Sequence, residues 1–272
     1  MIQMTAPDRL HSLRTVCGAR VLLGSLLILA LGQGPIAADP TDEKPSATRQ
    51  DFRFKPPWVI VGLRGGWVFN RSDGEIYDFL TENLTLYNSD FNSPAFAIDV
   101  AVRATSWLDV VVGFEYDGGR YQKSEFRDFV DQFDDPIKQK TRLTQVPLTA
   151  SLKLYPIGRG RQVGEYAWIR DRLVPYIGGG IGGTWYQLKQ KGDFFDFRDP
   201  ERIISEGKFK SDGWGFAQHA FVGFDLKLTR NFGLVIEGRY HWARADLKGD
   251  FENFDPIKLD GARVMAGFSW RL

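Results

Sequence analysis

Cysteine, histidine and methionine are scarce in this 272-residue chain, which has one Cys, three His and three Met. So few thiols exclude a disulfide-stapled domain, and so few soft ligands argue against a transition-metal site or other cofactor. A formal charge of +1 lacks the basic excess typical of nucleic-acid binding, so we expect no nucleic-acid partner. What is abundant is glycine (29 residues) and aromatic side chains (14%), a balance that favours an all-β protein.

Residues 1–38 have the three parts of a secretory signal peptide. Arg9, Arg14 and Arg20 precede the apolar run 21–31, and a small-residue site ends at Ala38. The run is too short for a transmembrane helix, which needs about 20 residues, although a short membrane anchor is an alternative. We predict cleavage after Ala38. Residues 39–57, with charge, proline and no periodicity, are predicted to be a periplasmic lead-in to one folded domain at 58–272.

Apolar residues alternate at period 2 from residue 58 onward, which predicts β-strands. Eight segments show it: 58–70, 94–104, 109–123, 142–155, 174–189, 213–228, 232–247 and 258–272. Each has one apolar and one polar face. In a soluble sandwich or lipocalin-like barrel the apolar face is the interior, whereas in a transmembrane barrel it faces lipid and the charges fill the lumen.

The tryptophans decide between these interpretations. If the chain runs up and down from a periplasmic start, one rim receives Trp58, Trp107, Trp168 and Trp270, and the other receives Trp67, Trp185, Trp214 and Trp242. Two aromatic girdles are typical of a membrane-spanning barrel. All four outer-rim tryptophans and Trp270 also share the apolar parity, but Trp58 does not.

Connection lengths alternate as well. Residues 105–108 and 229–231 are short, as periplasmic turns are, whereas 71–93, 124–141, 190–212 and 248–257 are long, as outer loops are. The exception is 156–173, a long connection on the periplasmic side, for which we predict a helical turn or a contact with a partner protein.

The last strand carries a pattern that resembles the signal read by the outer-membrane barrel assembly machinery. Its members are Val264, Ala266, Phe268, Trp270 and Leu272, although such signals more often end in Phe. Segments 146–156, 175–183 and 223–234 are similar to strands of small eight-stranded outer-membrane barrels of the outer membrane protein W and A type. The resemblance implies an outer-membrane location, with lipid and the assembly machinery as partners. For W-type members it also implies passage of small hydrophobic molecules, and for A-type members structural and adhesive roles.

An eight-stranded lumen is just wide enough for side chains to fill it. The residues predicted to line it are Arg64, Asp99, Arg103, Glu115, Asp117, Lys153, Asp225, Lys227, Glu237, Arg239, His241, Arg263 and Arg271. Charges of both signs at close quarters predict a salt-bridge plug. Glu237 and His241 share a face four residues apart, which is compatible with acid–base chemistry, but no catalytic motif surrounds His241 or His219. We therefore expect no enzyme activity.

Three outer segments repeat an acidic and aromatic theme: 133–138, 193–200 and 250–258. They are compatible with binding a ligand, a divalent ion or a partner, or with loops that pack together and cap the barrel. The predicted fold is thus a single eight-stranded antiparallel up-and-down transmembrane β-barrel. The predicted function is a structural envelope role or passage of a small hydrophobic solute. A lipid-modifying enzyme and an accessory subunit of an envelope complex are the alternatives.

Overall fold

The computed structural model describes residues 53–130, 134–163, 167–196 and 199–272. The predicted signal peptide and residues 39–52 of the predicted lead-in lie outside them. Twelve strands are present in this part of the chain: β1 (Val59–Asn70), β2 (Ser93–Arg103), β3 (Leu108–Gly118), β4 (Gln122–Val130), β5 (Pro136–Leu154), β6 (Gly160–Val163), β7 (Ala167–Arg170), β8 (Leu173–Asp196), β9 (Asp199–Lys227), β10 (Phe232–Ala245), β11 (Ile257–Lys258) and β12 (Gly261–Arg271). The described helices are α1 (Glu75–Asn83) and two 3-10 turns, Asn88–Phe91 and Gly249–Phe251.

Eight of these strands form a closed antiparallel barrel. Its ladder runs β1–β2–β3–β5–β8–β9–β10–β12, and β12 pairs with β1 to close it. Closure leaves the barrel itself without an exposed sheet edge. Tight turns join β2 to β3 and β9 to β10, where Thr105 and Thr229 donate their backbone N–H groups to the carbonyls of Leu108 and Phe232. The predicted all-β, eight-stranded barrel is confirmed.

Three strands are much longer than a membrane crossing requires. A transmembrane strand needs about 9–11 residues, whereas β5, β8 and β9 have 19, 24 and 29. Their extra length projects from the long-loop end, where β4 pairs with β5. The prediction that 124–141 and 190–212 are loops is therefore wrong for most of both segments. Strand pairing continues there because β5 extends along β8 as far as the Gln139–Gly192 pair, and β8 extends along β9 as far as the Asp196–Asp199 pair.

The long connection at the short-turn end is also different from the prediction. Residues 156–173 contain a two-stranded hairpin, β6–β7, rather than a helical turn. Gly160 has φ +155°, and a Cβ there would lie 2.6 Å from the indole of Trp168, so the hairpin needs glycine at this position. Backbone hydrogen bonds between Trp168 and Arg53 tie the hairpin to the segment before β1.

Within the described ranges, no helix is long and apolar enough to cross a bilayer.

Candidate functional site: a charged lumen closed at both ends

Because alternate residues of a strand point to opposite faces, charged side chains point into the lumen and apolar side chains point outward. Arg64 on β1, Glu115 and Asp117 on β3, Glu237 on β10 and Arg263 on β12 are all at most 6% exposed. The partners of these residues come from strands that are distant in sequence but adjacent or facing in the closed barrel. The lumen is thus filled by side chains from most of the wall, as expected for eight strands.

Seven of the predicted residues form one continuous chain of ion pairs. In order, it links Asp99, Arg64, Glu237, Arg239, Glu115, Arg263 and Asp117. The N···O distances include 2.5 Å for Arg64–Glu237, 2.6 Å for Arg263–Glu115 and 2.5 Å for Arg263–Asp117. Signs alternate along the chain, so each arginine bridges two carboxylates. Burial of so many charges is tolerated because nearly every one meets an opposite charge.

Lys153 supplies a further cation to the same lumen. Its ammonium lies 3.6 Å from the centre of the Tyr176 ring, a close cation–π contact. The Tyr176 hydroxyl donates to a Glu237 oxygen at 2.9 Å, which joins Lys153 indirectly to the ion-pair chain. A Cβ on Gly62 would clash with the Asp99 carboxylate, so glycine at this position leaves room for the side chain that begins the network.

A second cluster closes the short-turn end. Asp225 pairs with Arg170 at 2.5 Å and also with Arg271. Asp109 accepts from Arg159 at 2.7 Å and from the Tyr155 hydroxyl at 2.8 Å. Arg159 and Arg170 belong to the 156–173 connection, and sequence reasoning missed both because a period-2 pattern says nothing about where a connecting hairpin folds. The structure therefore places this connection against the barrel's own end.

Two predicted lumen residues lie at the rim and not in the packed interior. Arg103 is half-buried, and its Nε donates to the carbonyl of Thr105 at the adjacent turn. Lys227 is half-buried at the end of β9. Both have inward parity, but they stand at strand ends, where parity alone does not distinguish lumen from rim.

The two described lumen histidines are hydrogen-bonded to hydroxyls. His219 lies 2.9 Å from Ser151 Oγ, and His241 lies 3.0 Å from Thr184 Oγ1. The imidazole rings are stacked with centres 6.4 Å apart. Ser151 paired with His219 has the composition of a nucleophile and base, which the sequence did not reveal because 68 positions separate them. Nδ1 of His219 has no hydrogen-bond partner among the described residues, so no carboxylate orients the ring.

The long-loop end is closed by an apolar cluster, which we call the outer cap. Its members come from α1, β4, β11, the outer loops and the outer parts of the barrel strands: Ile76, Tyr77, Leu80, Leu84, Leu86, Phe91, Phe126, Ile137, Leu143, Tyr186, Leu188, Phe194, Phe209, Ala217, Ala243, Ala245, Leu247, Phe251, Phe254, Ile257 and Leu259. Phe194 and Phe209 meet edge to face with ring centres 4.3 Å apart, and Tyr77 meets Phe91 at 5.0 Å. Burial and ring contacts together stabilise the cap.

The acidic and aromatic outer segments contribute to this cap. Phe251 and Phe254 are buried in it, while Asp250 accepts from the backbone N–H of Lys210 at 2.8 Å. Glu75 accepts from the N–H of Asp255, also at 2.8 Å, and so ties α1 to the 250–258 segment. In the described part of the chain, no group of three or more His, Cys, Asp or Glu side chains could hold a metal ion. Packing between loops is the arrangement that the structure shows here.

One buried tyrosine of the cap has a shifted pKa. Tyr77 is 1% exposed, and its hydroxyl donates to the carbonyl of Lys258 at 3.1 Å. Burial, with a smaller contribution from the Asp260 charge, raises the pKa of Tyr77 well above its usual range. The cap therefore favours the neutral phenol.

The outer surface of the barrel is an apolar belt with aromatic rims. Exposed members include Leu63, Phe96, Ile98, Val112, Phe114, Leu148, Leu152, Ile181, Val222, Phe224, Val264 and Phe268. Trp67, Trp214 and Trp242 are exposed at the long-loop rim with Trp185 half-buried, and Trp58, Trp107 and Trp270 are exposed at the other rim. Trp168 departs from the prediction, because it is buried in the β6–β7 hairpin and does not face lipid. An apolar belt of this kind around a charged lumen is stable only in a bilayer.

Neither a protein-family model nor a curated protein matches this chain. Solved structures of small barrels do resemble it. Neisserial surface protein A is 9% identical with a TM-score of 0.44, covering 79% of this chain and 97% of its own. Ail, the attachment invasion locus protein of Yersinia pestis, is 13% identical with a TM-score of 0.41, covering 78% and 99%. The outer membrane protein OprG of Pseudomonas aeruginosa is 17% identical with a TM-score of 0.40, covering 80% and 97%.

These low identities and scores carry no argument about function. The assignment rests on the closed ladder, the charged lumen and the apolar belt with its two aromatic rims. By these features, the chain is a small eight-stranded β-barrel of the outer-membrane type.

Proposed function

We propose that this protein is a non-enzymatic outer-membrane barrel with a structural role in the envelope, and that its lumen is sealed. The observation that carries the proposal is the continuous chain of ion pairs from Asp99 to Asp117. A solute moving through the lumen would have to separate arginine and carboxylate side chains that are paired with each other across it. Breaking such pairs in a buried setting costs several kcal/mol for each, about 3–5.

Both ends support the same proposal. The outer cap covers the lumen with packed aromatic and aliphatic side chains. At the other end, Arg159 and Arg170 bring the 156–173 connection onto Asp109 and Asp225. This use of the connection favours closure of the barrel over docking of a separate envelope subunit.

Conductance of the purified protein in a planar lipid bilayer tests the sealed lumen. We expect no steady single-channel current above that of a protein-free bilayer. The comparison variant combines Arg64→Ala, Glu237→Ala and Arg239→Ala, which removes three members of the ion-pair chain; channel activity in this variant would locate the seal in the lumen, whereas its absence would locate the seal at the two closed ends. Heat-dependent gel mobility checks that each protein is folded. A stable open channel in the wild type would overturn the proposal.

Catalysis is disfavoured by the surroundings of the Ser151–His219 pair. Ser151 and His219 are 6% and 3% exposed, inside the closed lumen, where a lipid substrate would have no path to the hydroxyl. A base that lacks an orienting partner is also poorly held for proton transfer. Ester hydrolysis by the wild type that disappears in Ser151→Ala would reverse this part of the proposal.

Passage of a small hydrophobic solute by a lateral route is the second candidate. It is favoured by a pocket of about 250 Å³ on the lipid-facing surface at the outer rim, lined by Phe216, Gln218, Trp242, Ala243, Arg244 and Asp260. The test is uptake of a fluorescent hydrophobic dye by proteoliposomes, compared with protein-free vesicles. Gln218→Trp would fill the pocket and slow uptake if this route is used, whereas Val222→Trp, on the same face of β9, would not.

The assembly machinery remains a proposed partner. Val264, Ala266, Phe268 and Trp270 lie on the outward face of β12, and Leu272, directly after it, is also exposed, which supports the interpretation of these five residues as a recognition pattern. Replacement of Phe268 by Asn should reduce the fraction inserted in the outer membrane. The same change at Phe224, which is outward on β9, should have a smaller effect on insertion.

A further inference from the structure

Basic side chains lie side by side across four strands at the long-loop end. Lys123 on β4 is opposite Lys140 on β5, which is opposite Lys191 on β8, which is opposite Lys208 on β9. Two residues closer to the membrane, Arg142, Lys189 and Lys210 form a second row. We call these seven residues the basic rows. Directly paired residues point to the same face, with Cβ atoms about 5 Å apart.

The basic rows face outward, on the same side of the sheet as the lipid belt. On β5 they share the parity of Leu148 and Leu152, and on β9 that of Trp214 and Phe216. Lys210 is four residues beyond Trp214, which corresponds to about 13 Å along a strand and about 9 Å of height at 45° tilt. Lys208 lies about 14 Å above the same tryptophan by the same geometry. The headgroup layer is about 5–7 Å thick on each side of the hydrocarbon core, so both lysines stand above it, and their flexible side chains reach several ångströms back toward the phosphates.

Acidic partners do not balance these charges. Lys210 pairs with Asp212 at 2.7 Å, but among the described residues Lys123, Lys140, Lys189, Lys191 and Lys208 form no ion pair. Like charges placed directly opposite each other across strands destabilise a sheet. A row of four therefore carries a repulsion that an anion lying between the strands would relieve.

Tyr121 lies among the positive charges of the basic rows. Its ring has Arg142 5.4 Å and Lys191 5.3 Å from its centre. Desolvation, the largest single influence, raises the pKa of Tyr121, but the hydrogen bond to Lys191 and the charges of Lys191, Lys189 and Arg142 together lower it below its usual value. A neighbouring pocket of about 790 Å³ leaves room for a headgroup, and its lining includes four lysines, Lys123, Lys138, Lys140 and Lys191, against two carboxylates, Glu125 and Asp193.

The opposite wall has one directly paired couple of basic residues, Arg244 and Lys258, but no row of four among the described residues. There, Lys258 is paired with Asp73 at 3.1 Å. The basic surface is thus confined to the side of the barrel where β4, β5, β8 and β9 extend past the membrane.

We propose that the basic rows bind the phosphate-bearing headgroups of the lipids that surround this end of the barrel. Position on the lipid-facing side of the sheet, directly beyond the aromatic rim, is what selects a lipid over a soluble polyanion. The geometry gives each phosphate access to lysines from two neighbouring strands, and juxtamembrane lysines each attract anionic lipid. The site lies outside the lumen, so it does not depend on whether the lumen is sealed.

The test is native mass spectrometry of the folded protein in neutral detergent, titrated with phosphatidic acid or with phosphatidylcholine. The variant carries Lys140→Gln, Lys191→Gln and Lys208→Gln. Its matched control carries Arg161→Gln, Arg172→Gln and Arg230→Gln, three exposed cations at the short-turn end. Heat-dependent gel mobility shows that all three proteins are folded.

We expect the wild type to retain phosphatidic acid in preference to phosphatidylcholine, and the lysine variant to lose about 100-fold in affinity for it. The control should stay within about twofold of the wild type. Equal binding by the lysine variant and the wild type would overturn the proposal. A third titration uses inositol hexakisphosphate: binding as tight as that of phosphatidic acid would assign the rows to a soluble polyanion and so refute the lipid.

Discussion

The lumen and the outer cap have opposite distributions of polar and apolar side chains, although the same strands run through both. In the membrane-spanning part, charges such as Arg263 and Glu237 point inward and residues such as Phe268 point outward. In the cap, Phe194 and Phe251 point inward, and lysines such as Lys140 and Lys208 point outward. The strands β5, β8 and β9 take part in both regions and exchange their polar and apolar faces along their length while pairing continues, with a register shift between Gly192 and Phe194 on β8.

The distribution reverses because the barrel is surrounded by lipid in the membrane and by water above it. Lipid is as apolar as leucine, so a belt facing it must be apolar and the polar groups must satisfy one another inside. Above the membrane the surroundings are aqueous, and the ordinary preference for an apolar interior returns. One consequence is that the two regions rely on different forces: specific ion pairs in the lumen and burial of apolar surface in the cap.

The largest effect is expected from Arg263→Met in the lumen. Removing this guanidinium leaves Asp117 buried without its charged partner and leaves Glu115 with Arg239 alone, which should lower the free energy of unfolding by about 3–5 kcal/mol. Denaturant unfolding in detergent micelles, followed by gel mobility, measures the loss. Adding Asp117→Asn should recover most of it, since the unpaired charge is then removed. If the single variant unfolds at the wild-type denaturant concentration, the ion pairs do not stabilise the lumen.

A slightly smaller and more local effect is expected from Phe251→Ala in the cap. Phe251 is fully buried, and its truncation should cost about 3 kcal/mol. Because the cap is held by apolar contacts of its own, hydrogen exchange should rise in α1 and β11 while the barrel strands keep their protection. Tyr87→Ala, at an exposed site of the same region, is the control and should change stability by less than about 0.5 kcal/mol. Equal loss of protection in the barrel would show that the two regions unfold as one.

The smallest effect concerns alkaline pH. The raised pKa of Tyr77 means that the unfolded cap releases this proton first, so the stabilising contribution is complete below about pH 10 and is lost as pH rises further. Tyr77→Phe should cost about 1 kcal/mol at neutral pH, because the hydrogen bond to Lys258 is absent, and should remove this part of the alkaline sensitivity. Limited proteolysis of the cap between pH 8 and 11 measures both effects. Tyr87→Phe serves as the control, and identical alkaline profiles for wild type and Tyr77→Phe would contradict the assignment.

Much of the membrane-spanning part was predictable because period-2 alternation is a local property. The inward parity of Arg64, Glu115 and Arg263 follows from the chain itself, and so does the outward parity of Val264 and Phe268. The rim residues show where this reasoning ends. Arg103 and Lys227 have the right parity but stand at strand ends, and Trp168 lies in a hairpin whose position no alternation encodes.

The extended strands were harder to predict for a physical reason. Residues 124–141 and 190–212 are polar and charged, which in isolation is typical of loops. They pair as strands because β4, β5, β8 and β9 each have a neighbouring strand that also extends beyond the membrane. The basic rows have the same origin, since Lys123, Lys140, Lys191 and Lys208 become neighbours only through register.

The sequence by itself determined the alternation of polar and apolar residues, most of the two groups of tryptophans and the short turns at one end, and these are enough to specify a barrel in a membrane. The tertiary structure decided which charges meet, as Arg263 and Asp117 do across 146 positions. It also decided that the 156–173 hairpin and the outer cap close the two ends. Local patterns state which face a residue takes, but contact between distant residues depends on closure and register, which exist only once every strand is paired.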